Sequence, residues 1–488
     1  MGAIPTTTLG DNLQIARIVT GLWQVSGGHG DIDPQKAVDH MASLHGSGLT
    51  SFDMADHYGP AEELTGQLIR RVGQESAVQA STKWCPEPAE MTPDVVRAAI
   101  DRARTRLASN TIDLLQFHWW DYLDPRYIDA MLELAKLREE GLIANLGLTN
   151  FDTAHLRILL SLGVPIVSNQ VHYSLLDTRA GGEMTDLCSA HGIKLLCYGT
   201  VAGGFFSDQW LDKPEPTEDE LADNWSRMKY LRFIRSAGGW EVFQNLLRAV
   251  HSVALRHGVS TANVAVRWVL EQPSVAAVLV GTRLGLSDHT DDNERLFSFD
   301  LDADDLRVIE DARSQLQPIP GDCGDEYRRP PYLTAAGDLS DHQTRRWRPV
   351  LCERNPAEPV DRVGYGSGTS WESIASYSRA SRRGDAITVS GTTSTYGSLL
   401  VGAGDPKAQA HFCLDKIEAA IEALGGRLTD VVRTRIYVPE IARDWEPIAR
   451  VHGRRLAQIN PANTLVGAQL VGEGYLVEIE ADAVIVGA

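Results

Sequence analysis

Phe52-Asp53-Met54-Ala55-Asp56-His57-Tyr58-Gly59-Pro60-Ala61-Glu62 begins at the end of a short apolar run, Leu49–Asp53, and carries the chain into a loop. The run reads as a buried strand that ends in a carboxylate, with a tyrosine five positions further on. Working outward, similar runs recur at Arg17–Leu22, Ala77–Lys83, Asp113–His118, Ile143–Thr149, Pro165–Val171, Lys194–Tyr198 and Val275–Gly281. Together they predict eight strands. Helical patterns such as Pro34–Leu44 and Pro125–Glu140 lie between them, and Thr92-Pro93 supplies an N-cap and an N1 proline for Asp94–Leu107. Nearly continuous apolar strands separated by helices predict an α/β fold, a closed parallel (β/α)8 TIM barrel with both faces of its sheet covered. A doubly wound sheet is the competitor, and no GxGxxG follows the first strand to support it. Phe205 to about Gly239, after the seventh strand, is long and rich in charge and aromatics. On the active face of a barrel it reads as a substrate lid.

A chain of 488 residues exceeds one ordinary hydrophobic core, so a second domain is expected. Periodicity disappears over Gln315–Pro359, where proline, glycine and arginine dominate. A new pattern then starts, with a strand at Ala386–Ser390, a helix at Pro406–Leu424 and strands near Val431–Val438 and Tyr475–Val486. The predicted organisation is a barrel over 1–336, a linker over 337–360 and a small α+β domain over 361–488.

The net charge of −19 excludes a general nucleic-acid binder, which needs a clustered positive surface. A dinucleotide asks for only one or two local cations. The six cysteines are scattered without ligand spacing, as in a reduced cytosolic protein with no metal site. Residues 1–20 lack a basic start followed by an apolar core, and no window reaches ~18 consecutive apolar residues. A soluble cytoplasmic protein is expected, with neither nucleic acid nor membrane among its partners.

Four polar residues fall at or just beyond strand ends: Asp53, Tyr58, Lys83 and His118. Side chains at the C-terminal ends of barrel strands converge on one pocket. Reducing a carbonyl requires a proton at oxygen while hydride reaches carbon. A tyrosine, with a reference pKa of ~10, becomes a better donor beside an ammonium, and an aspartate keeps that lysine charged and oriented. A histidine polarises or orients the carbonyl.

These residues lie in words that resemble the aldo-keto reductase family. The resemblance runs through Phe52–Glu62, Ser81-Thr82-Lys83-Trp84, Asp113–Trp119, Gly147–Phe151 and Asn169-Gln170-Val171. It implies an NAD(P)-dependent oxidoreductase acting on a small carbonyl or alcohol, with Tyr58 as general acid and Asp53, Lys83 and His118 completing a tetrad. It also implies Thr149, Asn150 and Gln170 at the nicotinamide carboxamide and Tyr198, followed by Gly199, stacked on the ring. Trp23, Trp84 and Trp119 read either as core or as an aromatic substrate wall, and His57 and His172 read as structural. The family grips the adenosine end with a basic residue after strand eight and an Arg-x-x-Glu-Asn pattern. This chain has Gly281-Thr282-Arg283, then His289-Thr290-Asp291-Asp292-Asn293. Arg283 can pair with a 2′-phosphate, while His289 is mostly neutral at pH 7. NADP(H) is favoured over NAD(H) on that basis.

The C-terminal region resembles the Rid (YjgF) family of imine deaminases through Tyr377-Ser378-Arg379-Ala380, Val389-Ser390-Gly391 and Val477-Glu478-Ile479-Glu480. Active members bind a substrate carboxylate with an arginine that follows Pro-Ala. Here the segment reads Pro461-Ala462-Asn463, with Glu478 fifteen residues beyond Asn463. An amide does not replace a guanidinium fork. The resemblance implies trimeric packing, so a homotrimer or higher homo-oligomer is expected, with Ser390, Asn463 and Glu478 marking the residual site. Two alternatives stand beside an oxidoreductase with an assembly domain: a bifunctional enzyme that couples imine or enamine hydrolysis to carbonyl redox chemistry, and a cofactor-binding regulatory protein with little turnover.

Overall fold

The computed structural model describes residues 4–27, 32–73, 78–87, 89–222, 224–287, 289–328 and 362–486. The predicted linker, 337–360, lies outside the described residues, as does Ala77. Two compact units form, one of Met1–Trp120, Ala130–Thr153 and Pro165–Arg345, the other of Asp121–Asp129, Ala154–Val164 and Arg346–Ala488.

The first unit opens with an antiparallel hairpin, β1 (Thr6–Leu9) and β2 (Leu13–Ala16). Eight strands follow: β3 (Ile18–Gly21), β4 (Ser51–Asp53), β5 (Gln79–Trp84), β6 (Ile112–Phe117), β7 (Ile143–Thr149), β8 (Ile166–His172), β9 (Lys194–Tyr198) and β10 (Val275–Gly281). All pair in parallel, and β10 pairs with both β9 and β3 to close the barrel. The strands start and stop within two residues of the sequence expectation.

Helices begin where the local chemistry asks for them. Asp33 caps Pro34–Gly46 through the amides of Gln35 and Lys36. Thr92 caps Pro93–Arg106, with proline at the first helical position. Gly66, in the helix Ala61–Val72, marks a close approach, since an added Cβ would run into the Arg106 carbonyl.

The hairpin gives the barrel its polarity. Leu9 and Ile15 are buried in one apolar cluster with Val19, Leu114, Leu196, Ala277 and Leu279. Burying each such side chain contributes about 1.5–3 kcal/mol, and the cluster fills one end of the barrel. Polar side chains gather at the other end, where the strands finish.

Regular elements occupy much of the expected lid. Short 3-10 turns at Asp208–Trp210 and Asp219–Leu221 lead into the helix Trp225–Ser236, which Asn224 caps by accepting from the Arg227 amide at 3.0 Å. Tyr230, Phe233 and Ile234 bury one face of that helix. Among the described residues no helix is long and apolar enough to cross a membrane.

The second unit carries a six-stranded sheet built from β11 (Arg362–Tyr365), β12 (Ala380–Arg383), β13 (Ala386–Thr392), β16 (Val431–Val438), β17 (Ala462–Gly467) and β18 (Glu478–Val484). Their order is β11-β12-β13-β18-β16-β17, and a separate two-stranded ribbon joins β14 (Thr395–Tyr396) to β15 (Leu399–Leu400). The helices Pro406–Ala423 and Ile441–Arg455 contribute to a core that includes Ile387, Val389, Leu414, Ile417, Ile436, Ile448 and Ile479. The second of these helices, and β17, are elements that the sequence reading did not anticipate.

Candidate active site

Asp53 closes β4 and Lys83 is the penultimate residue of β5, so neighbouring parallel strands bring them together. They form a buried ion pair, each 3% exposed. Lys83 Nζ also donates to the Met54 carbonyl at 3.1 Å and lies 5.2 Å from the centroid of the Tyr58 ring. Asp53 Oδ1 accepts from Gln116 Nε2 at 2.8 Å and Gln170 Nε2 at 2.7 Å. A charge pair buried this deeply persists only with its remaining lone pairs satisfied, and the two glutamines satisfy them.

His118 follows β6 and is buried. Its Nδ1 stands 3.0 Å from the Thr149 carbonyl oxygen, which can only accept, so in the neutral ring the proton sits on Nδ1. Tyr58 is half-buried in the loop after β4, and the ring of His57 meets it edge-on at 4.8 Å. His57 Nδ1 pairs with Asp56 at 2.9 Å, and His172 Nδ1 pairs with Asp177 at 2.9 Å. The four tetrad positions therefore share one end of the barrel.

The residues expected at the carboxamide cluster on β7 and β8. The Thr149 hydroxyl is buried and has no hydrogen-bond partner among the described residues. A buried hydroxyl without a partner costs ~1–3 kcal/mol, and a carboxamide offers it both a donor and an acceptor. Asn150, in the left-handed region at φ 56°, accepts from Tyr198 Oη at 2.8 Å. Gln170 spends its amide on Asp53 and on Gln116 Oε1 (2.8 Å). Gly199 has φ 74°, and any side chain there would strike His172 and Tyr230. Burial pushes the Tyr198 hydroxyl well above its ordinary value, with Tyr327 and Glu326 adding to the effect. Of the three, the Thr149 hydroxyl is the unspent buried group that a carboxamide fits.

The residues expected at the adenosine end follow β10 in the chain. His289 and Asn293 line a narrow recess with Thr20, His40, Gly281 and Thr282. Arg283 is exposed, and its charge depresses the pKa of the partly buried Arg227, although burial is the larger cause. Asp292 accepts from Ser260 Oγ at 2.9 Å and Asn263 Nδ2 at 3.1 Å. Trp84 and Trp119 are buried and packed against Phe117, with ring centroids at 5.6 and 5.8 Å, while Trp23 is half-buried.

Sequence reasoning gave the tail after the last barrel helix to the barrel but not to the site. Arg328 donates to the Trp119 carbonyl at 2.9 and 2.7 Å and to the Asn150 carbonyl at 2.6 Å. Tyr327 meets His118 edge-on at 5.7 Å, and Glu326 Oε1 lies 3.4 Å from Tyr198 Oη. Gly324, at φ 80°, lies so close to the Asn150 carbonyl that an added Cβ would collide with it. The available signal was the glycine and the charged-aromatic run Asp325-Glu326-Tyr327-Arg328, in a stretch with no periodicity.

In the second unit, Ser390 Oγ donates to the Ser378 carbonyl at 2.8 Å, and Glu478 Oε1 sits against Gly391, where an added Cβ would strike it. Asn463 lies exposed on the edge strand β17 and donates to Thr434 Oγ1 at 2.9 Å. β16 separates Asn463 from Glu478, with Thr434 opposite Asn463 and Tyr437 opposite Glu478. Two strand spacings make about 10 Å, so one chain does not bring these two residues together. A guanidinium does lie nearer Glu478. The buried Arg379 donates to the Gly391 carbonyl at 2.5 Å and to Thr392 Oγ1 at 3.1 Å. Burial raises the Glu478 pKa, and Arg379 opposes that rise.

The sequence profile of the Aldo/keto reductase family matches residues 17–314. The chain belongs to that family. Residues 368–485 match the Rid/YjgF family under its description Endoribonuclease L-PSP. The NADH-specific methylglyoxal reductase of Escherichia coli is 24% identical over 307 residues, 58% of this chain and 89% of that protein. Flagellar radial spoke protein 5 of Chlamydomonas reinhardtii is 28% identical over 271 residues, 47% of this chain, and the match spans about half (51%) of that relative's length. The glycerol dehydrogenase structure from Gluconobacter oxydans aligns with a TM-score of 0.53 at 22% identity, over 65% of this chain and 97% of that one. This aldo/keto reductase is an oxidoreductase of the nicotinamide-dependent type, with a Rid domain on the same chain.

Proposed function

We propose that this aldo/keto reductase interconverts an aldehyde or ketone and its alcohol, with Tyr58 passing the proton to and from the reacting oxygen. The observation that carries the reading is the buried Asp53–Lys83 pair with Lys83 Nζ 5.2 Å from the Tyr58 ring centroid. An ammonium held there stabilises negative charge on the phenolic oxygen once its proton has left. His118, fixed through Nδ1, orients the carbonyl from its other nitrogen. A bound nicotinamide dinucleotide supplies or accepts the hydride. Thr149, Asn150 and Gln170 would hold its carboxamide, with Tyr198 and Gly199 against the ring and Arg283, His289, Asp292 and Asn293 at the adenosine end. Arg283 and Arg227, like charges within each other's field, support a 2′-phosphate partner and hence NADP(H). The test is NAD(P)H absorbance on a carbonyl and alcohol panel, run in both directions with both cofactors. No turnover with any member would sink the proposal.

The Rid domain serves assembly in this proposal. Val432 and Val466, on neighbouring strands of its sheet, are 48% and 38% exposed, and a second copy would cover them in a homotrimer or larger oligomer. Light scattering that returns a monomer at micromolar concentration would refute the assembly role. Asn463 leaves the domain without the carboxylate anchor of active imine deaminases. Ammonia release from 2-aminoacrylate generated in situ should stay at the uncatalysed rate.

A further inference from the structure

Lys229 belongs to none of the roles above, yet it lies among the residues that form them. It projects from the helix Trp225–Ser236 and is only 3% exposed. Its ammonium stands 4.7 Å from the ring centroid of Tyr327, 5.3 Å from Tyr198, 5.8 Å from Tyr230 and 5.9 Å from Trp23. It donates to Tyr327 Oη at 2.5 Å. The four rings come from the turn after β3, the end of β9, the helix itself and the barrel tail. Electron-rich ring faces stabilise a cation that burial would otherwise disfavour. His172 packs nearly parallel to Tyr198, with centroids 5.7 Å apart and planes 19° apart, and helps to fix the ring that faces the ammonium.

We infer that Lys229 discriminates between the two redox states of the cofactor, weakening binding of the oxidised form and so hastening its release after carbonyl reduction. The inference rests on the reading that the nicotinamide ring stacks on Tyr198. The reduced ring is neutral and the oxidised ring carries one positive charge, while their shapes are nearly the same. A fixed buried cation beside the stacking tyrosine therefore acts on one form and spares the other. Like charges in a poorly solvated site repel far more strongly than in water. The oxidised dinucleotide is bound more weakly and leaves more readily once alcohol has formed.

The test is equilibrium binding, by tryptophan fluorescence and by calorimetry, of oxidised and reduced dinucleotide to the full-length protein. The wild type should bind the oxidised form at least tenfold more weakly than the reduced form. Lys229→Met should close that gap about tenfold by tightening the oxidised form alone, and Lys229→Arg should keep it. Should the methionine variant fail to fold, Lys229→Gln keeps a polar donor at this position and carries the same expectation. An unchanged affinity ratio in the neutral variants overturns the inference while leaving the cofactor reading intact. So does a raised KM confined to carboxylate-bearing carbonyls with that ratio unchanged, because Lys229 would then be a substrate anchor. If the wild type binds neither redox form, the cofactor reading falls and the inference with it.

Discussion

Gln170 Nε2 donates to Asp53 Oδ1 at 2.7 Å, so a residue expected at the cofactor also supports the aspartate that pairs with Lys83. Gln170→Leu should remove one of the donors that keep a buried carboxylate satisfied, at a cost of ~1–3 kcal/mol. Melting temperature and kcat should both fall along with cofactor affinity. A change in cofactor Kd alone, with stability and kcat retained, would show that the contact to Asp53 has no consequence.

Tyr58→Phe should lower kcat by roughly 10²–10⁴, the usual contribution of a positioned proton donor. Cofactor Kd should stay within about threefold, because the ring that rests beside Lys83 is kept. Near wild-type kcat in steady-state assays would take the proton-transfer role away from Tyr58.

Arg283→Ala should weaken NADPH binding at least tenfold more than NADH binding. Losing a charge-assisted contact to a phosphate costs about 1.5–3 kcal/mol, and NADH has no 2′-phosphate to lose it from. Parallel titrations decide the matter. Equal losses for both cofactors would mean that Arg283 does not read the phosphate.

Asp322 should make stability fall as pH rises through weak acid. Burial, and the charge of Asp152 beside it, push its pKa up to about 6. A carboxyl raised in the folded state holds its proton more tightly there than in the unfolded chain, where it titrates near ~3.9. Its stabilisation is therefore complete below about pH 4 and is lost as pH rises to about 6. Relative to Asp322→Asn, the wild type should lose up to about 3 kcal/mol across that window, less what its partial exposure screens. Denaturant melts at pH 4, 5, 6 and 7 on both proteins give the difference. A flat difference, or one of opposite slope, would refute the assignment.

The barrel was legible because its strands are buried on both faces and separated by helices with their own caps, so β7 and β9 were read to the residue. The grouping of Asp53, Lys83 and His118 was legible because they stand at or just past strand ends, positions that the fold itself converts into neighbours. The helix Trp225–Ser236 was hidden by the acidic, proline-containing stretch before it, although Tyr230, Phe233 and Ile234 carry a helical spacing. β17 has almost no burial to pattern its sequence, since it is an edge strand with most residues exposed. Pro447 masked the helix around it. The tail was illegible for a different reason. What Glu326, Tyr327 and Arg328 do depends on partners 98 to 209 positions earlier in the chain, and no local pattern records such a distance.

The position of that tail in the chain also fixes when the enzyme becomes complete during synthesis. Arg328 closes over the carbonyls of Trp119 and Asn150, and it follows every strand and helix of the barrel. A nascent chain that has left the ribosome as far as Arg313 already carries Asp53, Tyr58, Lys83 and His118, but not the Arg328 contacts to the loops after β6 and β7. Tyr327, which accepts from Lys229, is absent from such a chain as well. The active face is thus finished last, by the residues that lead from the barrel into the rest of the polypeptide.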